Sequence, residues 1–242
     1  MQLDAILSSY SIASVFYGAI ALLILVIISL KIRKPSPAIK KVLFGSIAGI
    51  VLSVTAFLGG STIYLNMVSF SRGPVHYHAD LEIWDCGEEI DLKNPEGISN
   101  KIGTATLHEH NDKRIHLEGV VMDDKSASLG RFFEVIGGYI TQTSLSVPTN
   151  NGQVTLKSDY MCDNGAVKIQ QVFAYKVQDG VYSQTKIEDP GNYVISSESN
   201  IPPGDCIIIE FDSFKNTTDK LCRSYKVAES IGKIKKGEVY GN

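Results

Sequence analysis

Two runs of sequence without a charged residue, 5–30 and 42–71, decide most of what this chain can become. Each is longer than the roughly 20 apolar residues that carry a helix across the hydrocarbon core of a bilayer. The pattern predicts two transmembrane α-helices, about 8–30 and 42–69, forming a two-helix membrane anchor over 1–72. The connection at 31–41 holds five cations, Lys31, Arg33, Lys34, Lys40 and Lys41. Short cation-rich loops stay on the cytoplasmic side. The N-terminus and everything after Arg72 are therefore expected to be extracytoplasmic, in a two-pass protein of the cell membrane. A cleaved signal peptide fits less well, because no basic residue precedes the first run and no clear small-residue cleavage site follows it.

Charge sets the remainder apart. Residues 1–72 carry six basic groups and one acid, which leaves 17 basic and 25 acidic groups beyond them, a net charge of −8. Such a surface repels nucleic acid and anionic headgroups and attracts cations. All four cysteines, Cys86, Cys162, Cys206 and Cys222, lie in this part. In an oxidising compartment they read as one or two disulfides. Cys206 and Cys222 flank a single strand and loop, which makes them an attractive pair. Three connectivities are open if all four join.

From 73 to 224 the patterning is that of short strands. Over 76–84 the apolar Tyr77, Ala79, Leu81 and Ile83 alternate with His76, His78, Asp80 and Glu82, as in a strand with one buried face. Alternation returns at 104–110 and 114–121, joined by a tight turn at 111–113. Further strands are expected at 153–156, 167–177, 181–187 and 206–211. A short helix at 128–136 has Ser128 as N-cap and stops at Gly137-Gly138. Pro202-Pro203-Gly204-Asp205 reads as a turn. The fold expected is a mainly-β domain, a sandwich or open barrel with one short helix, over 73–224. A loosely ordered basic tail should follow at 225–242. In the second apolar run, Gly45-x-x-x-Gly49 is a close-packing pattern that pairing of the two helices would explain.

All five histidines fall between positions 76 and 116, as His76-x-His78, His108-x-His110 and His116-x-Glu118. A spacing of two is the strand period, so each pair points to one face. If the 104–121 hairpin pairs beside the 76–84 strand, five imidazoles and Glu118 share one surface. Two histidines from one strand and one from another can make a three-ligand site with an open position, and imidazole suits copper or zinc. The metal-ligand set expected is His76, His78, His108, His110 and His116, with Glu118 as a further candidate. Cys86 has the parity of His78 and is a soft-ligand candidate, although a disulfide is the plainer reading.

The pattern at 75–80 (Val-His-Tyr-His-Ala-Asp), with Leu107-His-Glu-His110, Ile115-His-Leu-Glu118 and Ser128-Leu-Gly-Arg-Phe-Phe133, resembles a family of membrane-anchored prokaryotic proteins. Members share H-x-H-A, a second H-x-H, I-H-x-E and L-G-x-F-F in an extracytoplasmic domain. Pro203-Gly204-Asp205 before an apolar strand matches as well. The resemblance covers most of 73–212 and carries no assigned activity. His76-x-His78-x-x-x-Glu82 followed by Gly87 is similar in part to the first cupin motif, which implies a metal inside a β-barrel. Here, however, the glycine comes after four intervening residues instead of about six, and no second motif follows.

These readings converge on an extracytoplasmic transition-metal-binding protein that captures, delivers or stores copper or zinc. Its partners would be the metal ion, the lipid bilayer and another membrane protein or complex. Two alternatives are a cupin-like metal-dependent enzyme, with a dry cavity walled by Phe132, Phe133 and Trp84, and a metal-free accessory subunit of a membrane complex. No G-x-S-x-G, phosphate-cradling glycine loop or H-E-x-x-H assigns a catalytic residue.

Overall fold

The structure, a computed structural model, describes residues 3–195 and 204–237. It divides into two compact units, Met1–Gly73 and Pro74–Asn242. The first holds α1 (Leu3–Lys31) and α2 (Pro37–Val68). Their apolar spans, Ile6–Lys31 and Pro37–Val68, have mean hydropathies of 2.6 and 2.2 and are long enough to cross a membrane. The second helix starts before the expected position 42. Ser36 caps it by accepting a hydrogen bond from the Ile39 amide, and Pro37 occupies the first turn, where its missing N–H costs nothing. Lys40 and Lys41 therefore sit on the helix, and the connection shrinks to 32–36.

The two helices meet elsewhere than expected. A Cβ at Gly18 would stand 3.0 Å from Val54 Cγ2, whereas Gly45 and Gly49 have nothing within 4 Å of theirs. Close approach thus falls on the glycine of α1, and the G-x-x-x-G of α2 takes no part in the hairpin.

The second unit is mainly β. Its strands are β1 (Pro74–Asp85), β2 (Glu88–Glu89), β3 (Ile102–Gly103), β4 (Leu107–Glu109), β5 (Arg114–Val120), β6 (Tyr139–Ile140), β7 (Ser144–Thr149), β8 (Gly152–Lys157), β9 (Ile169–Gln178), β10 (Val181–Ile187), β11 (Asp205–Asp212) and β12 (Lys235–Lys236). Helix α3 (Leu129–Val135) follows β5, and α4 (Arg223–Ser230) follows β11. Among the described residues, nine strands form one open mixed sheet in the order β12-β10-β9-β11-β1-β5-β4-β3, with β2 added on β1. Strands β6-β7-β8 form a separate sheet. The domain is mainly β as expected, and its larger sheet does not close on itself.

Odd-numbered residues of β1 face the larger core. Ala79, Leu81 and Ile83 pack there with Ile115, Leu117, Ile207 and Ile209, under Leu129, Phe132 and Phe133 of α3 and Leu145 and Val147 of β7. Ser128 caps α3 as its sequence predicts, accepting from the Arg131 amide.

The other face is covered only at one end. There Cys206 and Ile208 of β11 and Phe173, Tyr175 and Tyr182 pack against Tyr225 and Ala228 of α4. Strand β11 is thus buried on both faces, which is why Ile207-Ile208-Ile209 does not alternate.

Both disulfides form, Cys86–Cys162 and Cys206–Cys222. Cys86 is therefore closed to metal. The Cys206–Cys222 bridge fastens the chain just before α4, and Tyr225 is fully buried. The segment from 225, expected to be a loose tail, is folded at least to Gly237 and supplies a second short helix and a strand. Two buried residues three apart were too brief a pattern to stand out. The expected turn at 202–205 lies outside the described residues at Pro202 and Pro203.

Candidate metal centre

Strand order places the histidines. β5 lies between β1 and β4 and is antiparallel to both. Across these ladders His78 pairs with His116, His76 with Glu118, and His108 with His116. His116 thus stands at the centre of three strands, with an imidazole opposite it on either side. Ring centroids are 4.8 Å from His116 to His78, 5.5 Å to His108 and 4.8 Å to His110, as strand spacing of about 4.8 Å requires.

The hairpin that carries His108, His110 and His116 is set by its turn and by β3. Asn111 and Lys113 adopt left-handed backbone with φ of 66° and 58°. Lys113 is held there by Glu89 at 2.7 Å and Asp91 at 3.0 Å. Glu109 points to the core side, where burial raises its carboxyl pKa while the Asp112 amide donates to it. At Gly103 (φ +115°) a Cβ would lie 2.5 Å from the Leu107 carbonyl oxygen and 3.0 Å from His108 Cα. Only glycine lets β3 come this close, and the approach helps bury His108.

Two groups of three histidines bring their ligand nitrogens within 4.8 Å of one another and could hold a metal ion. One is His76, His78 and His116; the other is His108, His110 and His116. Glu118 lies between them, with Oε1 3.6 Å from His76 Nε2 and Oε2 4.0 Å from His108 Nε2. The sequence-derived set therefore converges in space, all five imidazoles and the carboxylate on one face.

Two orienting contacts were not foreseen. Asp112 Oδ2 is 3.0 Å from His116 Nε2, and the Asn100 carbonyl oxygen is 2.6 Å from His110 Nδ1. If each of those nitrogens carries the proton and donates, the other nitrogen of each ring is left with its lone pair, as in metal-bound histidines. Asp112 precedes His116 by four positions in a recognised hairpin turn, so folding back onto it was a readable signal.

His78 is half-buried, and its Nε2 is 2.9 Å from that of His76. Burial, and then the nearby His116 and His76, hold its pKa down to about 4 from 6.5. Folding therefore opposes its protonation. The unfolded chain takes up the proton first, so this contribution to stability is intact above pH 6.5 and is lost as pH falls toward 4. In the metal-free protein the His78 ring signals should titrate near pH 4 by NMR. A midpoint of 6 or above would mean that the ring is ordinarily solvated.

Elements of the cupin-like alternative do not come together. Glu82 is outside both groups; burial raises its carboxyl pKa, and it accepts from Trp84 Nε1 at 3.2 Å. Phe132 and Phe133 are fully buried beneath the opposite face of the sheet, so they wall no cavity at the histidines. A pocket of about 520 Å³ does open on the histidine side, between Asp80, Asp112 and Arg114 and the α4 residues Arg223, Ser224 and Val227, but no histidine lines it.

The molecule is thus a pair of long apolar helices joined to a mixed-sheet domain bearing two overlapping histidine groups. Compared with protein-family models, curated proteins and solved structures, the chain matches none of them.

Proposed function

We propose that this chain is a membrane-anchored, extracytoplasmic protein that binds a divalent transition-metal ion, Cu(II) or Zn(II), for capture or delivery. The observation that carries this reading is the pair of three-histidine groups sharing His116. The donor set decides between ions. Nitrogen and carboxylate donors suit Cu(II) and Zn(II), whereas Cu(I) favours thiolates and thioethers, and the four cysteines are tied in disulfides. Two disulfides also suit an oxidising compartment, in agreement with the cationic connection between the helices. His76, whose side chain is 63% exposed, leaves the face open to solvent, which favours exchangeable cargo over an enclosed catalytic ion.

The test is metal content of the full chain purified in detergent, stripped with chelator and reloaded with Cu(II) or Zn(II). About one tightly held ion per chain is expected. A protein that retains neither ion after gel filtration would sink the reading and leave the metal-free accessory role.

A further inference from the structure

We propose that the histidine face holds a single divalent ion in two alternative positions and passes it between them about His116. The outer position is His76, His78 and His116, and the inner one is His108, His110 and His116. This inference rests on the metal-binding reading above and adds the route that the ion takes.

Three observations carry it. First, the two groups overlap in one residue, and that residue has one nitrogen to offer. Where His116 Nε2 carries the proton and donates it to Asp112, 3.0 Å away, only Nδ1 is left for an ion. An imidazole bound through one nitrogen does not bridge two metals, and the two positions therefore exclude each other.

Second, exposure falls along the path. The His76 side chain is 63% exposed, that of His116 12% and that of His108 2%. An ion arriving from solvent meets His76 most readily, and His108 is the most enclosed ligand of the five.

Third, the inner group contains a buried nitrogen awaiting a partner. His108 Nδ1 has no hydrogen-bond partner among the described residues, and a buried polar atom is normally satisfied. His110 is already aimed, its Nδ1 2.6 Å from the Asn100 carbonyl, which leaves Nε2 for the ion.

Glu118 completes the route. It reaches toward His76 with one oxygen and toward His108 with the other, at 3.6 and 4.0 Å. A carboxylate so placed can hold the ion while the outer pair is exchanged for the inner pair, with His116 bound throughout. No bond other than metal–ligand bonds is made or broken, and no electron is transferred.

The experiment uses the full chain in detergent with Cu(II) as probe, read by stoichiometry, by rapid-mixing rates of loading and by rates of release to EDTA. Wild type should bind one Cu(II), loading in a fast and then a slow phase. His76→Ala with His78→Ala should still bind one Cu(II) tightly but load at least ten-fold more slowly. His108→Ala with His110→Ala should keep the fast phase and release copper at least ten-fold faster. Because His108 is buried, the half-buried His110→Ala alone serves as a second variant and should speed release in the same direction. Complete loss of copper in both double variants would show one site using every histidine and overturn the relay. Two Cu(II) per chain in wild type would overturn it as well. No copper or zinc in wild type would instead remove the metal-binding reading itself.

Discussion

Replacing His116 by alanine is expected to remove tight metal binding altogether, with Cu(II) or Zn(II) held at least ~100-fold more weakly than by the wild type. Loss of an outer-shell partner alone typically costs 10–100-fold in metal affinity, and His116 is the residue that the two histidine groups share. No other single histidine has this property, because only β5 has a histidine-bearing strand on each side. His76→Ala should leave the inner group whole and weaken binding far less. Asp112→Asn falls between, since it keeps the ligand but loses the carboxylate that orients it at 3.0 Å. Folding should survive, because His116 lies on the face away from the main core, and its neighbours Ile115 and Leu117 supply the buried contacts. Competition titration against a chelator of known affinity gives the ranking. Equal losses for His116→Ala and His76→Ala would mean that the face is not organised about its central strand.

What was legible beforehand follows from which interactions are local. Membrane-length helices announce themselves because lipid demands an uninterrupted apolar run, and α1 and α2 each contain most of one charge-free stretch. Helix ends are less legible where polar and apolar requirements overlap. Ser36-Pro37 starts α2 ahead of its apolar run, and the cations at 40 and 41 concealed that. The histidine face was readable because period-two alternation assigns a side to every residue of β1 and β5, and one hairpin sufficed to bring β4 alongside. The pairing of β1 with β11 was not, since those strands are parallel and far apart in sequence. Nor was the cover over half of the polar face. Asp80 and Glu82 alternate like solvent-facing residues, yet both are buried, Asp80 against Arg114 at 2.6 Å and the Ser224 hydroxyl. Only the tertiary placement of α4 makes that so.

That placement predicts a large effect far from any histidine. Tyr225→Ala should destabilise the folded β unit by about 3–5 kcal/mol, the usual range for removing a buried aromatic side chain. Tyr225 is fully buried between Tyr175 and Tyr182, with ring centroids 6.1 and 5.5 Å away. Its hydroxyl, with one proton to donate, lies 2.6 Å from the Gly204 carbonyl oxygen and 3.0 Å from that of Tyr175. Tyr225→Phe isolates this second contribution and should cost about 1–3 kcal/mol, because the buried carbonyls lose the one proton available to them there. Denaturant unfolding of the full chain in detergent, followed by tyrosine fluorescence, measures both. Metal binding provides the contrast. α4 contributes no residue to either histidine group, and it touches β1 at Asp80, two residue pairs along the β1–β5 ladder from His78 and His116. Under folding conditions Tyr225→Ala should therefore keep its ion while losing stability. If it lost neither, the segment after Cys222 would not be part of the fold. If it lost the ion first, α4 would be holding the β1–β5 ladder in register for the histidines, and the pocket between them would belong to the metal's path.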